Sequence, residues 1–164
     1  MSVRAIGRMA WYGGRFTPSP STPVPMPALS SLLQPSTNVR RALHALALLG
    51  LVAILVAGSI PGARAEVGAY ASGVVLHGMT YAFLATLWFL GATGTPLQRA
   101  LKAMLAVALM GAVDEWVQGF FPYRSGDVRD WLVDVTAATL ASSLLAVLDT
   151  LAPAPQSARS AHPR

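Results

Sequence analysis

The residues able to do chemistry are concentrated in one stretch. Between positions 114 and 134, DEWVQGFFPYRSGDVRDWLVD carries Asp114, Glu115, Asp127, Asp130 and Asp134, five of the chain's seven acidic residues, together with Gln118, Arg124 and Arg129. Carboxylates in this number can act as general acids or bases, or hold a hard cation through oxygen ligands. An arginine among them can fork onto a carboxylate or phosphate. Glu115 and Gln118 are spaced i, i+3, and Asp114 and Gln118 i, i+4, so one helical face can present an acid and an amide together. Arg124 is the cation expected to meet them. A second polar pair, His77 and Tyr81, is also spaced i, i+4 in an apolar context. A buried histidine bonded to a neighbouring helix is the plain structural reading of His77. His44 reads as interfacial and His162 has no role.

Those residues must be positioned by a very apolar chain. It is 54% hydrophobic and 12% charged, a membrane composition. Four stretches approach the roughly 20 apolar residues that a bilayer crossing requires: 41–60, 68–92, 97–121 and 130–152. Pro61-Gly62 ends the first and Pro122 follows the third, where proline cannot continue the helical ladder. The fold class expected is therefore all-α, a polytopic membrane protein with four transmembrane helices in a bundle. Ala137 with Ala141, and Ala138 with Ser142, give the last helix small residues at four-residue spacing for close packing. Trp88, Trp116 and Trp131 read as interfacial anchors.

The acidic residues then divide. Asp127 precedes the expected start of the fourth helix and Asp130 follows three residues later, which approximates a capping box. Glu115 and Asp134 lie too deep to be caps. Such groups should face the bundle interior and find partners.

The chain divides into a Pro/Ser-rich disordered tail at 1–40, a membrane domain at 41–152 and a second disordered tail at 153–164, with Met26 as an alternative start. Ala63-Arg64-Ala65 could also end a secretory signal, but the preceding apolar run exceeds the roughly 7–15 residues of a signal core. An uncleaved helix is preferred. With the N-terminus inside, Arg40, Arg41, Arg99, Lys102, Arg159 and Arg164 fall on the cytoplasmic side, against Arg64, Arg124 and Arg129 outside. That bias favours N-in/C-in in the plasma membrane, with the 114–134 stretch at the outer face. The twelve basic residues form no long run, so they read as topology signals and no nucleic-acid partner is expected. The bilayer is the expected partner, and a homo-oligomer is left open.

Glu115, Gln118, Pro122, Arg124, Asp130 and Asp134, in that order and spacing, resemble the VanZ-like family of small bacterial membrane proteins. Ser59-Ile60-Pro61 and His77-x-x-x-Tyr81 fit the same pattern, over about residues 43–150. Asp134 stands where the family often has Asn, and Ala137 where it has Gly. The resemblance implies a four-helix membrane protein of the cell envelope, in a family with one member linked to teicoplanin resistance. It implies no reaction.

Three function classes follow. The first is an outward polar site that binds a lipid-linked or otherwise anionic envelope ligand, built from Glu115, Gln118, Arg124, Asp130 and Asp134 and extended by His77 and Tyr81. The second is an intramembrane enzyme using Glu115, Asp130 and Asp134 as acid-base groups or metal ligands. The third is a small proton-coupled transporter. The enzyme lacks an obvious nucleophile: there is no cysteine, and Ser125 lies in a turn. The transporter has little polar on the cytoplasmic half of the spans. The first class is preferred, with no cofactor and no metal assigned.

Overall fold

Ser72 opens a helix because its hydroxyl accepts the Val75 N–H, and Thr95 does the same through a full capping box in which Gln98 reaches back to the Thr95 N–H. Such local signals set the element boundaries in the computed structural model, which describes residues 32–152. The elements are α1 (Thr37–Gly58), α2 (Ala63–Gly68), α3 (Gly73–Gly91), α4 (Pro96–Gln118) and α5 (Val128–Leu151). No strand occurs among the described residues.

The helices begin and end close to the spans read from the sequence, with three differences. α1 starts at Thr37, so the tail expected to run to residue 40 yields its last residues to the helix. The other tail assignments, 1–31 and 153–164, lie outside the described residues. Residues 63–68 form a short helix after Gly62, whose φ of 85° turns the chain back. α3 consequently begins at Gly73 rather than at 68. Three helices, α1, α3 and α5, are long and apolar enough to cross a membrane. The fourth expected crossing, α4, is not among them, and it carries Arg99, Lys102, Asp114 and Glu115.

α5 packs along both α3 and α4, while α1 leans on α3 and barely touches α4. Ala138 and Ser142 are buried on the packed face, as their spacing anticipates. Close approach of small residues is the main attraction available between helices in lipid. Ala47, Leu84, Ala85, Val107 and Met110 join Ala138 in one core. Phe83, Leu105, Leu109, Leu140 and Leu144 point outward. An apolar exterior of that extent suits acyl chains rather than water.

The bundle has two polar ends. At one, Arg99 is 2% exposed and holds Asp149 at 2.6 Å, the Leu33 carbonyl at 2.7 Å and the Phe89 carbonyl at 3.2 Å. Its guanidinium also lies 4.2 Å over the Phe89 ring. Arg99, read from the sequence only as a topology signal, is a buried clasp joining α3, α4 and α5. Arg40 reaches the Ala92 carbonyl nearby. At the other end meet the C-termini of α1 and α4 and the N-termini of α3 and α5, and every candidate site residue lies there.

Candidate functional site

Asp114 and Gln118 share a face of α4, and Glu115, one residue on, is turned about 100° away. The two neighbouring acids therefore have different partners. Asp114 is 2% exposed and accepts the Tyr81 hydroxyl at 3.0 Å. Glu115 Oε2 accepts the Asp127 N–H at 2.6 Å, while its Oε1 is buried without a partner. Asp127 caps α5 through the Arg129 N–H at 2.8 Å. The expected box between Asp127 and Asp130 is thus replaced: Glu115 of α4, not Asp130, serves the Asp127 N–H.

His77, on the first turns of α3, stacks on Tyr81 with ring centres 5.9 Å apart. Its Nδ1 hydrogen-bonds Asp134 Oδ1 at 2.9 Å, and its Nε2 lies 3.7 Å from Asp130 Oδ2. Asp134 is completely buried against α4, which admits it at Gly111: a Cβ there would stand 2.8 Å from Asp134 Oδ2. That Oδ2 has no hydrogen-bond partner. Trp131 does not sit as an anchor at the surface alone, since its indole donates to the Ala108 carbonyl at 2.9 Å. Trp116, 67% exposed, fits the anchoring position.

Arg124 lies in the turn between α4 and α5, at the C-terminal end of α1. Its Nη1 is 3.9 Å from where a Gly58 Cβ would stand, and the Tyr123 hydroxyl donates to the Ser59 carbonyl at 2.6 Å. Its position next to a helix C-terminus suits a cation. The expected pairing of Arg124 with Glu115 is not formed, because the Glu115 carboxylate turns to Asp127. Arg124 Nε is buried with no partner.

Arg124, Gln118, Asp114, Tyr81, Thr80 and His77 form the polar wall of a cavity of about 240 Å³. Ile54, Ala57, Ala63, Val67 and Leu76 form its apolar wall. Of the seven residues expected to share one site, four face this cavity. Glu115, Asp130 and Asp134 lie to the other side of His77, where His77, Glu115 and Asp134 each offer a ligand atom within 4.8 Å of one another. His77 belongs to both groups. Asp114 and Thr80 were not among the candidates. The i, i+4 spacing of Asp114 and Gln118 pointed to Asp114, whereas Thr80 had no signal of its own.

The model of the VanZ/LLP1 family matches residues 9–149. No curated protein and no solved structure gives a match.

Proposed function

The chain belongs to the VanZ/LLP1 family of membrane proteins, and from that premise we propose that it binds an anionic amphiphile of the cell envelope in the cavity between α1, α3 and α4. The observation that carries this reading is Arg124, which forms no ion pair among the described residues and leaves a buried Nε unbonded at the cavity wall. A phosphate is the natural partner for such a guanidinium, through charge-assisted and bidentate hydrogen bonds. The apolar wall opposite suits the first carbons of an acyl or prenyl chain. Gln118, whose buried Oε1 also lacks a partner, would accept from a headgroup hydroxyl or amide.

In this reading α4 is a fourth crossing. Its charges lie near its ends, and Arg99 and Asp114 are buried inside the bundle, where spanning helices keep their ionisable residues. Four crossings and the basic bias support a topology with both termini in the cytoplasm and the cavity at the outer face of the plasma membrane.

Native mass spectrometry of the detergent-purified chain tests the proposal, with phosphatidylglycerol and a polyprenyl phosphate as probes. Wild type is expected to retain one of them, and Arg124→Ala to lose it at unchanged helix content. Equal retention by Arg124→Ala and by a Gln118→Ala variant overturns the assignment.

A further inference from the structure

We infer that His77, Glu115 and Asp134 form a binding site for one first-row divalent cation, Zn2+ or Mn2+. Each residue comes from a different helix, α3, α4 and α5, and their ligand atoms lie within 4.8 Å of one another. In a tetrahedral zinc site, ligands at about 2.0–2.2 Å from the metal stand about 3.3–3.6 Å apart, roughly 1 Å closer than the widest separation here. Small side-chain adjustments therefore close the group around an ion.

Two unsatisfied acceptors point to an ion independently of that clustering. Asp134 is fully buried, and its Oδ2 has no donor. Glu115 Oε1 is likewise buried without one, although its Oε2 is engaged by Asp127. Carboxylate oxygens held out of water require a donor or a cation, and no nearby side chain supplies either to these two atoms. Arg124, the arginine closest in sequence to Glu115, faces the cavity instead.

The donor set selects the ion. One imidazole nitrogen with carboxylate oxygens suits zinc or manganese, and the absence of thiolates disfavours softer ions. Three protein ligands leave a coordination position for water or a ligand oxygen. Because His77 also lines the cavity, that position lies beside the proposed anion site, but cation binding does not depend on it.

The full-length chain, purified in detergent and stripped with EDTA, is equilibrated with micromolar Zn2+ or, separately, Mn2+, desalted, and its metal content measured. Wild type is expected to hold one ion per chain in at least one arm. Glu115→Gln and Asp134→Asn should each weaken binding tenfold or more, while Glu66→Gln, an exposed acid outside the group, should not. Asparagine at 134 keeps an acceptor for His77, and glutamine at 115 keeps one for Asp127, so helix content by circular dichroism should remain that of wild type. If Asp134→Asn misfolds, Glu115→Gln decides. Absence of both ions from wild type, or equal binding by folded variants, overturns the site. No lipid enters the measurement, so its failure is distinct from failure of the Arg124 proposal.

Discussion

Glu115 Oε2 and the Asp127 backbone N–H meet at 2.6 Å, joining the last turn of α4 to the cap of α5. The bond closes the turn that carries Arg124, so one carboxylate shapes the hairpin while its second oxygen stays unbonded. Removing the whole side chain should cost about 1 kcal/mol, the net worth of an ordinary hydrogen bond. Glu115→Ala is therefore expected to lower the thermal midpoint in detergent, and Glu115→Gln, which keeps the acceptor, to leave it near wild type.

The Arg99–Asp149 pair at the opposite end is almost fully buried, with side chains 2% and 3% exposed. Breaking a buried pair from one side strands the other charge, at about 3–5 kcal/mol. Arg99→Ala should unfold at a markedly lower temperature. Arg99→Met combined with Asp149→Leu should recover part of that loss, because no charge is then left unpaired.

Tyr81 is 1% exposed and gives Asp114 its hydroxyl. Tyr81→Phe keeps the ring stacked on His77 but leaves a buried carboxylate oxygen short of a donor, at about 1–3 kcal/mol. Thermal unfolding of the variant beside Tyr81→Leu separates the lost hydrogen bond from lost packing, and the phenylalanine variant is expected to be the more stable of the two.

Gly126 lies directly against the Glu115 backbone carbonyl, and an added Cβ would overlap that oxygen. Gly126→Ala should push the turn off α4 and loosen the Glu115–Asp127 bond. Faster tryptic cleavage after Arg124 in the otherwise folded protein is the expected sign.

The chain contains no cysteine, so single introduced thiols report orientation without background. Ser125 and Thr93 are exposed at opposite ends of the bundle. With the cavity outward, Ser125→Cys should react with an impermeant maleimide in intact cells and Thr93→Cys only after lysis. The reverse pattern would invert the proposed topology.

The helices themselves were legible in the sequence. Asp127 marked the cap of the last, Pro61 and Pro122 follow two of them, and apolar runs between these signals leave a helix as the only economical structure in lipid, although the caps at Ser72 and Thr95 went unread. The four-residue spacing of Ala138 and Ser142 correctly marked a packed face. Residues 63–68 were missed because a six-residue helix carries too few periods to register.

Sequence by itself determined that the candidate site residues gather at one end of a helical membrane domain, since order along the chain and helix length settle which ends meet. Which of them share a wall was decided only by the packing of helices distant in sequence. Glu115 and Asp114 are adjacent in the chain yet face different partners, because a helix turns about 100° per residue. His77 meets Asp134, and Arg124 is left without Glu115, because helix rotation and the Gly111 approach depend on contacts across the bundle that no local spacing encodes.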